Sequence, residues 1–178
     1  GLPDAAVRLL VSRGPGSLGV NPYDCPAPQV YIIVTAFAGA FMDHHPQGAS
    51  VVASTLPAKP GGLAALKSCN YLMNVLMKRE AIDQGADFAV GFEAGEHLTD
   101  GATEHAGIVD HEGRLIVPPA ETVLDGTTML RVMAMGTDGR AAPRVASAER
   151  RPIGRHEVEA ARELLIFGTT TNVTAVTR

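Results

Sequence analysis

Residues 63–87 read Leu63-Ala64-Ala65-Leu66-Lys67-Ser68-Cys69-Asn70-Tyr71-Leu72-Met73-Asn74-Val75-Leu76-Met77-Lys78-Arg79-Glu80-Ala81-Ile82-Asp83-Gln84-Gly85-Ala86-Asp87. The pattern changes inside this stretch. From Asn70 onward the apolar residues Tyr71, Leu72, Val75, Leu76 and Ile82 recur mostly at three- and four-residue steps, the spacing of one helix face. Asn70 is the expected cap and Gly85 the expected stop. Lys67 falls directly before the helix and after an apolar run. A lysine delivered there is expected to be partly desolvated, free to act as nucleophile or base; the plain alternative is an ordinary surface lysine.

Working outward, residues 6–11 read as a strand followed by glycine- and proline-rich turn chemistry at 12–19. Residues 30–34, β-branched and apolar, read as a buried strand. A linker or domain boundary is expected between residues 36 and 48. Downstream of the helix, residues 88–92, 97–100, 105–110 and 114–117 are short segments between turn signals and read as an antiparallel meander. A short helix is expected to open at Thr127-Thr128 and run to Gly136, a further helix to span about 155–163, and residues 164–167 and 173–176 to form a hairpin around Gly168-Thr169-Thr170-Thr171. Residues 136–151 carry no clear pattern. Strands first, then mixed helices and hairpins without regular βαβ alternation, give α+β as the fold class.

The 178 residues are 46% hydrophobic and 19% charged, a balance that can bury a core. A net charge of −4, with 4% aromatic residues and no tryptophan, offers neither the basic field nor the stacking platform that nucleic acid requires, so no nucleic acid and no anionic membrane surface is expected as partner. The most apolar run, residues 30–42, is broken by Thr35 and Gly39 and is shorter than the roughly 20 residues of a bilayer span. Cys25 and Cys69 cannot make a disulfide framework, so a reducing, cytoplasmic setting is expected. The opening Gly1-Leu2-Pro3-Asp4, without an initiator methionine or a signal-type core, reads as the start of a piece cut from something longer.

Lysine is scarce: only Lys59, Lys67 and Lys78 occur. Lys78 on a polar helix face and Lys59 between prolines are expected to be solvated. Two threonine turns each begin with glycine, Gly126-Thr127-Thr128 and Gly168-Thr169-Thr170-Thr171. Exposed N–H groups at a helix start with hydroxyl donors suit a phosphate dianion, although a threonine there is first of all a cap. Asp100, before the Gly101 bend, is placed to point into a pocket. Its acidic and histidine neighbours Glu93, Glu96, His97, Asp110 and His111, and the His44-His45 pair, are weak as metal ligands because none has a tight helical spacing, and no metal is expected.

Taken in order, Lys67-Ser68-Cys69-Asn70-Tyr71-Leu72, Glu80-Ala81, Gly85-Ala86-Asp87, Thr99-Asp100-Gly101-Ala102-Thr103-Glu104, Gly113 with Pro118, Leu124-Asp125-Gly126-Thr127-Thr128, and Phe167-Gly168-Thr169-Thr170 with Val173-Thr174 resemble the fold-type IV pyridoxal-phosphate enzymes. These are the class IV aminotransferases, with the branched-chain and D-amino-acid aminotransferases and aminodeoxychorismate lyase. The resemblance covers about residues 66–176. It implies a larger pyridoxal-phosphate-binding domain at 47–178, and a remnant of a smaller N-terminal α+β domain with linker at 1–46. Lys67 then matches the lysine that bonds pyridoxal 5'-phosphate as a Schiff base and carries the proton between substrate Cα and C4′. Asp100 matches the acid facing the pyridine nitrogen, Leu124 the apolar residue on the ring face, and Tyr71 the tyrosine near the ring hydroxyl. Gly126, Thr127 and Thr128, with Gly168, Thr169 and Thr170, match the two phosphate turns.

Three departures stand out. The acid is Asp rather than Glu, the residue after the bend is His105 rather than Asn, and Met129 stands where Arg is common. The implied function is transfer of an amino group between an amino acid and a 2-oxo acid, in a homodimer. The alternatives are pyruvate elimination from aminodeoxychorismate, a noncatalytic fragment with an incomplete cofactor site, and, remotely, a metal hydrolase.

Overall fold

The computed structural model describes residues 2–57, 59, 61–137 and 145–178. It divides into two compact units, Gly1–Gly39 and Ala40–Arg178. In the first, β1 (Ala5–Ser12) and β2 (Gln29–Ala36) pair antiparallel without a slip, from Ala5 opposite Ala36 to Ser12 opposite Gln29. The expected strand at 30–34 exists, but it is not buried: every residue of β2 is exposed. A ribbon of two strands has two faces and, within this unit, no second layer to cover either.

The second unit carries α1 (Phe41–His44), β3 (Val51–Pro57), α2 (Leu72–Asp83), β4 (Phe88–Glu93), β5 (His97–Gly101), β6 (His105–Val109) and β7 (Arg114–Val117). These are followed by α3 (Thr127–Thr137), β8 (Ser147–Arg150), α4 (Arg155–Ala160), β9 (Glu163–Gly168) and β10 (Asn172–Ala175). The strands form two sheets, one in the order β3-β4-β5 and one in the order β10-β9-β6-β7-β8. The expected single meander is therefore two hairpins, β4/β5 and β6/β7, each completed by other strands. β3 adds parallel to β4, and β8, from the stretch without a clear sequence pattern, adds parallel to β7. Residues 138–144 of that stretch lie outside the described residues.

Strand alternation explains why the five-stranded sheet is apolar on both sides. Ala106, Ile108, Ile116 and Ile166 point to one face and pack with Phe88, Val90 and Phe92 of β4. Val109, Leu115, Val117 and Phe167 point to the other and pack under Met129, Val132 and Met133 of α3. A third, smaller cluster joins Met77 and Ala81 of α2 to Ala89 and Ala102.

The predicted helix at 70–84 is present, with two corrections. Tyr71, not Asn70, occupies the cap position, and no side chain caps it. The buried face is Asn74, Met77 and Ala81, whereas Tyr71, Leu72, Val75 and Ile82 are exposed. The period is helical, but the small residues Ala81, Ala89 and Ala102, which allow close approach, set which side meets the sheet. Gly85, at φ +66, ends the helix as expected, followed by an Ala86 N–H bond to Ala81 O of 2.8 Å. The last helix ends at Ala160 rather than 163, because Glu163 already pairs with Val109 in the β6/β9 ladder.

Glu80 ties α2 to β3: its carboxylate accepts from the hydroxyls of Ser54 and Thr55 and from the Thr55 N–H at 3.2 Å. The Ser54 and Thr55 hydroxyl bonds hold its pKa below the ordinary value of 4.5. A depressed folded-state pKa contributes stability above the unfolded value, and that contribution is lost as pH falls through the folded one. Glu80→Gln is therefore expected to flatten the acid limb of a stability–pH curve below about pH 4.5; an unchanged limb in urea titrations contradicts the assignment. Ile116→Ala, at a fully buried position, is expected to cost about 2–5 kcal/mol. Leu9→Ala on the exposed ribbon is expected to cost less than about 0.5 kcal/mol.

Candidate active site

The second unit contains a cavity of about 100 Å³ walled by the segment before α2, by α2 itself, by β5 and by the loop before α3. Lys67 and Tyr71 come from the first of these, Asp100 from β5, and Leu124 from the last. Four of the sequence-predicted site residues thus share one cavity, although 57 positions separate the outermost two in the chain (124 − 67 = 57).

Asp100 reaches the cavity through a fault in strand pairing. Val90 pairs with Gly101 and Phe92 with Leu98, so the single residue Gly91 faces the two residues Thr99 and Asp100. Such a bulge bends the strand and re-aims a side chain that strict alternation would place elsewhere. Gly91 permits it, since a Cβ there would lie 2.8 Å from the Thr99 hydroxyl. Both carboxylate oxygens of Asp100 are engaged: Oδ1 lies 2.8 Å from His105 Nδ1, and Oδ2 accepts from the Leu124 N–H at 3.1 Å. The Asp100 side chain keeps 26% of its surface exposed. Each oxygen retains acceptor capacity for a ligand.

Lys67 differs from expectation in one respect. It lines the cavity, but it is exposed, as are its neighbours Leu66, Ser68, Cys69 and Asn70. The apolar run before it does not wrap the amine, since Leu63 and Leu66 are themselves exposed and only Ala64 is buried. Lys59, expected to be solvated, is half-buried and also lines the cavity. Nothing in its proline-flanked sequence signals this placement. Lys78 is exposed, donating to Asp87 O at 2.7 Å.

The two threonine turns do not line this cavity. They adjoin it through His105. Thr127 and Thr128 form the first residues of α3, exposed and half-buried respectively. Gly126 before them is buried, and a Cβ there would come within 2.1 Å of His105 Nε2. His105 in turn pairs with Phe167, the residue before the half-buried Gly168. In that second turn Thr169 and Thr170 are exposed, while Thr171 is buried with no hydrogen-bond partner for its Oγ1 among the described residues. Gly168 is required beside it: a Cβ would lie 2.4 Å from that hydroxyl. Met129, where an arginine is common in the family pattern, is instead fully buried against the sheet.

Among the described residues no group of three histidine, cysteine or acidic side chains is placed to hold a metal ion. His45 stacks on Phe41 at 3.9 Å, and His111 is bonded to Ala160 O at 3.0 Å. No helix of the described residues is long and apolar enough to cross a membrane.

The family model for class IV amino-transferases matches residues 1–178. A chloroplastic D-amino-acid transaminase of Arabidopsis thaliana is 33% identical over 136 residues, 76% of this chain and 36% of that protein. The branched-chain amino acid aminotransferase from Escherichia coli superposes with a TM-score of 0.80 at 23% identity, over 97% of this chain and 55% of that one. A Legionella pneumophila protein described as a candidate 4-amino-4-deoxychorismate lyase gives 0.81 at 20%, over 97% and 60%. At such identities the two solved structures show a shared fold. The chain belongs to the class IV aminotransferase family, and its fold is that of the fold-type IV pyridoxal-phosphate enzymes. It spans between about a third and three fifths of the length of the curated relatives it matches, among them a Methanocaldococcus jannaschii protein named as a candidate branched-chain-amino-acid aminotransferase, 30% identical over 98% of this chain.

The family depends on pyridoxal phosphate, and the residues present fit that group. They supply a primary amine, a carboxylate with lone pairs to spare, a helix start with two hydroxyls, and a second turn whose buried Thr171 hydroxyl has no partner among the described residues.

Gly126→Ala is expected to destabilise the chain by about 1–3 kcal/mol, because the ring it would strike is buried and tethered. A loss below about 0.5 kcal/mol in urea unfolding contradicts the close approach described.

Proposed function

We propose that the chain forms the cofactor-binding part of an aminotransferase that moves an amino group between an amino acid and a 2-oxo acid. The observation that carries this is one cavity holding Lys67 and a carboxylate, Asp100, bonded at both oxygens. When bound, pyridoxal 5'-phosphate supplies the conjugated ring into which electrons from the substrate Cα can drain.

The protein's own groups do the rest. Lys67 holds the cofactor and serves as the base that takes the Cα proton and returns it. A ligand in the cavity would desolvate the Lys67 amine, which the polypeptide alone leaves exposed. Asp100 would hold a proton on the ring nitrogen, since a carboxylate beside that atom favours its charged form. Leu124 would offer an apolar surface to the ring, and Tyr71, which lines the same cavity, a hydroxyl to its polar edge. The N–H groups and hydroxyls of Gly126, Thr127 and Thr128, and of Gly168, Thr169 and Thr170, take the phosphate. The family resemblance also supports a homodimer, and the two free cysteines support a reducing, cytoplasmic setting.

With pyridoxal phosphate and an amino acid, the protein is expected to transfer nitrogen to an added 2-oxo acid. Lys67→Ala is expected to abolish the transfer and Lys78→Ala, outside the cavity, to retain it. Pyruvate released from 4-amino-4-deoxychorismate without any acceptor would replace this reading with the lyase. Protein that stays colourless with the cofactor would replace it with a noncatalytic one.

A further inference from the structure

Asp100 and His105, which the sequence presents as two separate departures from the family pattern, are bonded to one another, and the second also touches the start of α3. His105 Nδ1 lies 2.8 Å from Asp100 Oδ1, and the His105 side chain is only 10% exposed. The far edge of the same ring, Nε2 and Cδ2, occupies the space where a Cβ on Gly126 would stand, at 2.1 and 2.2 Å. Gly126 immediately precedes the threonine pair. Across the sheet, His105 pairs with Phe167, next to the second threonine turn. One buried ring therefore spans the distance from the cavity carboxylate to the threshold of α3.

We propose that His105 is a positioning residue that fixes the Asp100 carboxylate and registers it against the start of α3. This rests on the reading of the cavity as a cofactor site. A carboxylate only accepts hydrogen bonds, so the hydrogen of the 2.8 Å contact belongs to His105 Nδ1. The neutral ring then carries its one proton at Nδ1 and leaves Nε2, the edge nearest Gly126, unprotonated. With Leu124 N–H on the other oxygen, the carboxylate is clamped at both ends. Aspartate, one methylene shorter than glutamate, has fewer torsions to fix, and the long imidazole supplies the reach from behind. His105 thus acts on the reaction through Asp100 and not on the substrate. Asparagine at 105 keeps an amide N–H close to the place of Nδ1; leucine fills similar volume without a donor.

The first test needs no cofactor. In 15N-labelled apoprotein, at a pH where the ring is neutral, His105 is expected as the Nδ1-protonated tautomer, and Asp100→Ala is expected to remove that preference. A wild-type ring protonated at Nε2 overturns the proposal. In loaded protein, His105→Leu is expected to lower transamination by about 10–100-fold and to shift the pH dependence of the cofactor's visible absorbance. His105→Asn is expected to stay within several-fold of wild type with its absorbance profile kept. Equal losses in both variants, or none in either, overturn it. If wild-type protein fails to take up cofactor, the reading of the cavity fails, while the tautomer measurement still decides the role of His105.

Discussion

A sheet covered on both faces leaves polar chemistry few places to go except its strand ends. β6, β7 and β9 are packed by the three-stranded sheet on one side and by α3 on the other. The hydrophobic burial that stabilises this layer therefore also confines the polar groups. Asp100 sits on a bulge near the end of β5, His105 at the first residue of β6, and Gly168 at the last of β9. Each is placed by where an apolar strand stops. The bond between Asp100 and His105 joins two of these ends into one cluster.

Much of the framework was legible because it rests on local signals. The helix after Lys67 showed its period, Gly85 its stop, Thr127 the start of α3, and the Gly168 turn its return strand. What failed was tertiary. The face of α2 that meets the sheet is chosen by Ala81, Ala89 and Ala102, small residues that carry no apolar periodicity, while the larger Leu72, Val75 and Ile82 stay exposed. The burial expected of residues 30–34 assumed a second layer, and no property of a β-branched run says whether one is present. β8 was illegible because its pairing is parallel to β7 and comes from more than 30 residues downstream (147 − 114 = 33).

The site divides in the same way. The order of motifs named Lys67, Tyr71, Asp100 and Leu124, and the fold brings these four to one cavity. Lys59 escaped notice because its place on the wall depends on the path of the chain after β3. His105 was visible as an anomaly but not as a partner: five residues from Asp100, it meets the carboxylate only because the bulge opposite Gly91 turns that side chain toward it. A lone glycine inside the strand at 91 was the available signal of such a bulge. The exposure of Lys67 had no signal at all, because desolvation belongs to whatever covers a residue.

The most direct measurement is chemical. Protein loaded with pyridoxal 5'-phosphate, reduced with borohydride and digested, is expected to carry the label on the peptide containing Lys67. A label found instead on Lys59 or Lys78, or none, contradicts the account.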